Sequence, residues 1–463
     1  MLSAITTAQD DNAVWNAKNH SRLATSQDIG SEITTQGDIS LQAGRDITAR
    51  AANVTSQGSQ GAITVDAARD ITLEAGRASS VNDQAHRYTT SGTVSSTTTT
   101  TRDLFDQTTS VGSSLSGQSV KANAGRDVNV VGSTVVADGE ITINAERDLK
   151  VTSATNTATE NHFKDEKTSG LMSSGGFGVT LGSRQLSNDQ KNTRTTSAAS
   201  TIGSLGNNSG SNSGNNNVNL TAGRTYQQTG SDVLALQGDA NITAQKVDIN
   251  EARETQRSSS DTKFKQSGLT VAVTNPVISA VQLAQHMSQA ASNTSDPRMQ
   301  TLAAASTALA AVNAAQALQA GQGQTINGKS NQIVTATDAQ GNPTATKDAN
   351  AADKLGGITV SVSLGSSKSQ SHSTQTADQA KGSSIAAGGD VRVIAQGAGK
   401  ENEKNDTSDK SDILIQGSKV SAGGAVVLQA DDQLTLQAAA RPRSLGLRPT
   451  LRSVHQRRIY DFV

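Results

Sequence analysis

Aspartates recur along this chain at places where chemistry could be built, at Asp46, Asp70, Asp127 and Asp148. Stacked on one flank of a strand array, such carboxylates could supply the acid/base pair that cleaves a polysaccharide. Each also follows an arginine in a repeated phrase, so each reads first as a corner residue whose carboxylate accepts backbone N–H bonds. The histidines, His20, His86, His162, His286, His372 and His455, are scattered without metal-ligand spacing and predict solvated polar residues. Gly175-Gly176-Phe177-Gly178 lacks the Lys and Ser/Thr of a phosphate loop. The calcium-binding nonapeptide pattern of other stacked β folds is missing. Nothing points to a Ser-His-Asp arrangement. With no cysteine there is no disulfide and no thiolate metal site. The expectation is therefore no enzyme, no cofactor, no metal and no small-molecule substrate.

The elements that position these residues repeat as well. Gly44-Arg45-Asp46-Ile47-Thr48 returns as Gly125-Arg126-Asp127-Val128-Asn129, with variants at Arg69-Asp70 and Arg147-Asp148. A second phrase precedes each, as in Gly37-Asp38-Ile39-Ser40-Leu41, Gly61-Ala62-Ile63-Thr64-Val65 and Gly139-Glu140-Ile141-Thr142-Ile143. Arg45 and Arg69 are 24 positions apart, and Arg126 and Arg147 are 21 apart. A period in the low twenties marks a stacked-repeat rod. Ile39 and Leu41 alternate with polar neighbours, as do Ile63 and Val65, and Ile71 and Leu73, which predicts short strands with one buried face. Ile39, Leu41 and Ile47 are expected to stack on Ile63, Val65 and Ile71 of the next coil. In this scheme Gly44, Arg45, Asp46, Arg69, Asp70, Gly125, Arg126, Asp127, Arg147 and Asp148 are structural corners. Gly would supply positive φ, and Arg of one coil would pair with Asp of the next on the surface.

Composition favours this thin core. Apolar residues make up 33% and aromatics 2%, against roughly 45–50% apolar in globular domains. The net charge of −1 gives no overall pull toward nucleic acid or an anionic membrane. No apolar run approaches the ~20 residues of a membrane-spanning helix. Met1 to Asp10 shows no basic region followed by an apolar stretch, so any secretion signal is expected upstream.

Organisation follows from texture. Residues 1–29 read as an irregular leading segment. Repeat blocks are expected at 30–151, with a polar insertion at 78–118, and again at 218–250 and 385–440. Segment 152–217 reads as a hairpin and low-complexity insertion, disordered in part, and 251–384 as an insertion with hairpins. Ser169-Gly170-Leu171 with Gly176-Phe177-Gly178-Val179-Thr180-Leu181-Gly182-Ser183, Ser267-Gly268-Leu269, and Gly357 to Ser366 read as inner arms of projecting hairpins. Asp296-Pro297 opens a helix to about residue 320, with Leu302, Leu309 and Val312 on the face packed against the rod. From Arg441 an Arg-rich tail of different texture, 441–463, reads as unrelated to the rod.

The Ala-Gly-Arg-Asp-Ile phrases, the 169–183 phrase, Glu251-Ala252-Arg253-Glu254-Thr255 and Val362-Ser363-Leu364-Gly365-Ser366 together resemble the haemagglutinin-repeat regions of filamentous-haemagglutinin-like exoproteins. That group includes two-partner-secretion adhesins and contact-dependent growth inhibition toxins. The resemblance covers most of 30–437 and implies an interior piece of a much longer protein. It implies an all-β, right-handed parallel β-helix, secreted and displayed on a bacterial surface. Its role would be adhesion, or contact with a target cell before toxin delivery. Its partners would be a host or neighbouring-cell surface, through a glycan or outer-membrane protein, and the outer-membrane transporter of two-partner secretion. The competing readings are a segment that contacts the target outer membrane and, less favoured, a polysaccharide-degrading β-helix.

Overall fold

A computed structural model describes every residue except 1–4, 17, 176, 207–215, 275, 293–296, 355, 358, 398–409, 441–449 and 457–463. The alternating segments form three parallel sheets of eight strands each, and the chain passes through them in fixed order. One coil runs through Glu32–Thr35, Ile39–Ala43 and Ile47–Arg50, the next through Asn53–Ser56, Ala62–Ala67 and Ile71–Glu74. Further coils begin at Ser114, Thr134, Thr201, Asp232, Ser384 and Lys419. Coils pair in strict register, with Ile39 beside Ile63, Leu41 beside Val65 and Ile47 beside Ile71.

The period-2 pattern turns alternate side chains of all three sheets into one apolar cluster that extends from Ile39 to Ile415. Each fully buried Ile, Leu or Val contributes about 1.5–3 kcal/mol. One coil departs from the pattern. Tyr226 and Gln228 occupy the positions of Leu149 and Val151 in the preceding coil. The Tyr226 hydroxyl donates to Gln228 Oε1 at 3.0 Å, and Gln228 Nε2 donates to Ser231 O at 2.6 Å and Ser384 O at 3.1 Å. The buried polar pair is thus satisfied, and burial pushes the Tyr226 phenol far above its ordinary pKa.

The three insertions that carry the long arms all leave the stack at one corner, between a third-sheet strand and the first-sheet strand that follows. Where no insertion intervenes, the corner turns through a left-handed residue: Gly132, Gly230 and Gly417 have φ of 56°, 55° and 56°, and Ala51 takes φ 50° in the same role. Glycine is the natural occupant of that conformation. The next residue is usually serine, and these serines form a buried ladder. The amides of Ser113, Ser133, Ser200, Ser231 and Ser383 donate to Oγ of Ser133, Ser200, Ser231, Ser383 and Ser418 at 3.1–3.3 Å. Each hydroxyl donates to a backbone carbonyl, as Ser200 does to Thr152 O at 2.7 Å. Backbone groups that the departing insertions would otherwise orphan are satisfied in this way.

The insertions themselves assemble into a nine-stranded antiparallel sheet. Its strands, in chain order, are Ile5–Asn16, Asn19–Ile29, Gly76–Ser91, Ser95–Val111, Ala154–Gly175, Phe177–Ala198, Ala252–Thr274, Thr359–Lys381 and Thr450–Gln456. Arms of 22 residues such as Ala154–Gly175 reach up to about 70 Å at ~3.3 Å per residue, whereas eight coils at ~4.8 Å rise occupy only about 35 Å. The side sheet is therefore the longer dimension, not the stack.

Several expectations are corrected here. Of the leading segment 1–29, Ile5–Asn16 and Asn19–Ile29 are not irregular but pair antiparallel, because Gly76–Ser91 gives the second of these polar strands a backbone partner on its other side. Polar segments 78–118 and 152–217 are ordered arms at 76–111 and 154–198, while Ser114–Gly117 and Thr201–Ser204 are strands of the stack. Within the stretch 203–217, residues 207–215 lie outside the described residues. The Ser-Gly-Leu phrases do lie on projecting antiparallel arms, near their outer ends. Segment 252–381 carries two long helices, Pro276–Ser292 and Pro297–Gly321, between its arms, together with a small sheet of three strands. Leu309 and Val312 are exposed there, while Ala303 and Ala314 are buried, since alanines allow close approach of helices. Asp296 and the Leu302 side chain lie outside the described residues. The Arg-rich tail is not separate from the fold: Thr450–Gln456, with Arg452, pairs with Ser366–His372 as the ninth strand. Arg441, Arg443, Arg448, Arg457 and Arg458 fall outside the described residues.

The serine ladder carries a measurable load. Ser200→Ala removes the acceptor for Ser133 N–H and leaves the Thr152 and Val130 carbonyls short of a donor. Urea denaturation should show a loss of about 1–3 kcal/mol, against a change within about 0.5 kcal/mol for Ser369→Ala on an exposed arm.

Candidate functional site

The Arg-Asp phrases come together as an ion ladder at the corner between the second and third sheets. Arg69 Nε donates to Asp46 Oδ1 at 2.7 Å, Arg126 Nε to Asp70 Oδ1 at 2.7 Å, Arg147 Nε to Asp127 Oδ1 at 2.7 Å and Arg224 Nε to Asp148 Oδ1 at 2.9 Å. A second contact from Nη2 makes each pair bidentate. Each Arg therefore reaches back to the Asp of the preceding coil, the reverse of the direction the sequence suggested. The cause is the backbone: Asp70 N–H points to Asp46 Oδ1, Asp127 N–H to Asp70 Oδ1 and Asp148 N–H to Asp127 Oδ1, each at 3.3 Å, which turns every carboxylate toward the following coil. Arg45, in the first coil, has no preceding Asp. Gly44 and Gly125 are not in the left-handed region. A Cβ on Gly125 would instead meet Ala68 O at 2.3 Å, so close stacking of corners is what favours glycine there.

Hydrogen bonds from Arg69 and Arg147 hold the carboxyls of Asp46 and Asp127 below the ordinary carboxylate range, partly opposed by desolvation. The same bonds push the guanidinium values of Arg69 and Arg147 up. Asp46 and Asp127 are thus held as counter-ions, a poor state for a general acid, and Asp70 and Asp148 are likewise paired with arginine.

Beside this ladder runs a second one of amides. Asn123 Nδ2 donates to Asp66 Oδ1 at 2.7 Å and Asn144 Nδ2 to Asn123 Oδ1 at 2.9 Å. The Gly-Asp phrase at the other end of the second sheet makes a third: Ala62 N–H donates to Asp38 Oδ1, Asp390 N–H to Asp239 Oδ1 and Ala425 N–H to Asp390 Oδ1 at 2.7–2.9 Å. An open groove of about 860 Å³ lies along the amide ladder, with Ala67, Gly125 and Gly223 among the small residues that line it.

The side sheet offers different chemistry. Its arms bring four glycines into one row, Gly170, Gly182, Gly268 and Gly365, flanked by Ser169, Ser183, Ser267 and Ser366 on one side and Leu171, Leu181, Leu269 and Leu364 on the other. A Cβ on Gly182 would meet Ser267 O at 2.1 Å, and one on Gly268 would meet Leu181 O at 2.5 Å. Directly paired residues share a face, so the four leucines lie together, followed two positions on by Val179, Val271 and Val362. All seven side chains are exposed. On the leucine face the sheet is polar next below the glycine row and apolar above it.

Sequence reading found no Ser-His-Asp arrangement, and the sheet contains one near relative. Asp261 Oδ1 and His372 Nδ1 are 2.7 Å apart, and His372 Nε2 is 3.0 Å from Thr374 Oγ1. His162 likewise meets Asp103 at 2.8 Å and His20 meets Asp83 at 3.4 Å. These pairs join neighbouring strands on the sheet surface; His162 and Asp103 line a shallow cavity of about 220 Å³ with Phe105 and Glu160, and Thr374 lines none of the cavities described. Among the described residues no group of three or more His, Asp or Glu could hold a metal ion.

The hemagglutinin repeat family matches residues 98–212 and 364–444. This chain belongs to the hemagglutinin-repeat family. Both matches begin within an arm of the side sheet and run on into coils, so the family unit joins arm to stack. The hemagglutinin-repeat chain is 36% identical over 416 residues to a protein named tRNA nuclease CdiA from Escherichia coli strain STEC_O31, covering 89% of this chain and 11% of that protein. It is 34% identical over 419 residues to a 16S rRNA endonuclease CdiA of Enterobacter cloacae subsp. cloacae, with 89% and 11% covered. To a deoxyribonuclease CdiA of Yersinia pseudotuberculosis the identity is 36% over 331 residues, with 70% and 26% covered. The chain thus spans about a tenth of the length of the first of these. No solved structure matches. Among the described residues no helix is long and apolar enough to cross a membrane.

Acidification tests the ladder. Carboxyls held low in the folded chain add stability that is fully present above the unfolded value of about 3.9 and lost as pH falls through the folded one. The urea midpoint should therefore be flat from about pH 5 to 8 and fall below about pH 4. Asp127→Asn should lower it at pH 7 and shrink the acid-dependent part of the fall. A midpoint that rises on acidification contradicts the assignment.

Proposed function

We propose that this chain is a non-enzymatic stalk segment of a secreted bacterial surface protein that makes contact with another cell. In this reading the three parallel sheets close into a right-handed β-helix, which carries the side sheet and presents its outer end. The observation that carries the proposal is the row of four exposed leucines at the tip of arms drawn from separate insertions. An apolar patch held away from the stack by polar arms suits contact with another surface. The repeated polar faces of the stack would add many weak contacts, which multivalency turns into firm attachment.

The partners in this reading are a glycan or outer-membrane protein of a host or neighbouring cell, and the outer-membrane transporter of two-partner secretion. The nuclease names of the relatives describe much longer proteins, and the ladder geometry supports no such chemistry here. A second reading is favoured by the same leucine row: a segment of a contact-dependent growth inhibition protein whose side sheet engages the target outer membrane. A polysaccharide-degrading role is the least supported, because the stacked aspartates are bound to arginine.

Purified chain should bind cells saturably, and replacing Leu171, Leu181, Leu269 and Leu364 together by Ser should weaken binding tenfold or more with the circular dichroism spectrum unchanged. Non-saturable binding, or equal binding by the quadruple variant, removes the tip as the contact. Reducing-sugar release should stay flat from acidic to neutral pH.

A further inference from the structure

The side sheet carries its charges in bands. Four of its arms run outward from Lys167, Gln185, Lys265 and Lys368, and their outer stretches 168–175, 177–184, 266–274 and 359–367 contain no Asp or Glu. A belt of cations marks the inner border of that zone. Lys167 stands opposite Gln185, Gln185 opposite Lys265 and Lys265 opposite Lys368, so the three lysines share one face. Arg184, one position from Gln185, lies on the other face. All four cations are exposed. Among the described residues the lysine ion pairs lie elsewhere, at Lys164, Lys246 and Lys347. Lys265 and Lys368 set like charges face to face, an arrangement that weakens a sheet and gains nothing for the fold.

The belt and the leucine row occupy the same face. The serines lie two positions outward of the lysines and the leucines four, about 13 Å away at ~3.3 Å per residue. The sequence beyond the arms keeps this character: between Lys265 and Lys329 the charged residues are Asp296 and Arg298 alone. Beside Lys167 the belt widens into a cavity of about 460 Å³, lined also by Lys18, Arg87, Thr98 and Thr100. Asp165 of that cavity is occupied in accepting Gln185 Nε2 at 2.8 Å.

Apolar rows bordered by cations, with no carboxylate between, complement an anionic lipid surface. Leucines enter the boundary of headgroup and acyl chain, while long lysine side chains reach the phosphates. A soluble polyanion would engage the lysines and leave the leucines in water. We infer that this end of the side sheet binds phosphate-bearing lipid, with Lys167, Lys265 and Lys368 on the headgroups. The inference rests on the leucine row being the contact surface and gives that surface its partner. The net charge of −1 conceals the local attraction.

Flotation of the intact chain with vesicles tests this. The chain should bind vesicles of phosphatidylcholine mixed with phosphatidylglycerol, and not vesicles of phosphatidylcholine alone. Binding should weaken as salt rises. Lys167→Gln, Lys265→Gln and Lys368→Gln together should lower affinity on the order of a hundredfold, at about 1 kcal/mol per lysine near an anionic surface. The urea midpoint of that variant should not fall, since the belt is exposed and Lys265 no longer opposes Lys368. Taking the same charge from the stack, by Lys121→Gln, Lys150→Gln and Lys419→Gln, should leave binding unchanged. Equal binding to both kinds of vesicle overturns the proposal, as does anionic binding that the belt variant retains in full. Capture of dextran sulfate without capture of the anionic vesicles also overturns it, and makes the ligand a soluble polyanion. If no vesicle binds while the quadruple leucine variant still loses cell binding, this inference falls and the contact reading stands.

Discussion

Parallel pairing of one coil on the next is the interaction on which this structure depends. A single coil has no interior, so its apolar residues gain burial only from neighbours above and below. Register then becomes absolute, because a slip of one residue would turn every inward side chain outward. The same register places chemically similar residues on top of one another. That helps where they are apolar and raises a problem where they are polar or charged. The chain solves it with groups that donate in one direction and accept in the other. Serine gives its backbone amide to the next hydroxyl, asparagine its side-chain amide to the side-chain oxygen of the coil behind it, and arginine its guanidinium to the aspartate behind it. No ladder sets like charges face to face without an intervening opposite one.

Confining the arm-bearing insertions to one corner has an equally large effect. Arms that leave the same corner of every second coil are delivered side by side, so their pairing is set by the stack and not by their own weak strand signals. This explains how polar stretches such as Thr97–Thr101, with little apolar content, become central strands of a sheet. It also explains the glycine row. The Ser-Gly-Leu triplets lie about a hundred residues apart in sequence, at 169–171, 267–269 and, reversed, at 364–366. They align because each arm is counted outward from the same corner. The glycines then let backbones approach where the sheet changes from polar to apolar, which a Cβ would prevent.

Much of the stack was legible in the sequence, because period-2 alternation and a period near 22 are local signals. Ile39 on Ile63 and Ile47 on Ile71 could be read directly from the phrases. The side sheet was not, since its strands are held by a register that only the assembled stack supplies. The glycine corners misled for a related reason: Gly44 and Gly125 seemed to need positive φ, whereas the left-handed glycines are Gly132, Gly230 and Gly417 at another corner. Their signal was present in the Gly-Ser pairs at 112–113, 132–133, 230–231, 382–383 and 417–418, which repeat at the coil period once the insertions are removed. The direction of the Arg-Asp pairs could not be read from spacing, because it depends on which way the carboxylate is turned by a backbone N–H.

Repetition also constrains where function can lie. A ladder gives every coil the same neighbours, so no one Asp of the stack differs enough from the others to become an acid while its partner stays a base. Catalysis needs two groups driven apart by unlike surroundings, and a regular stack makes surroundings alike. Distinct chemistry must therefore arise where the repeat is interrupted. The three long interruptions at one corner feed the side sheet, and it is on their arms or between them that histidines meet carboxylates, leucines reach solvent and helices occur. The stack acts as the ruler that spaces those interruptions, and the contact surface proposed above is the one the ruler holds out.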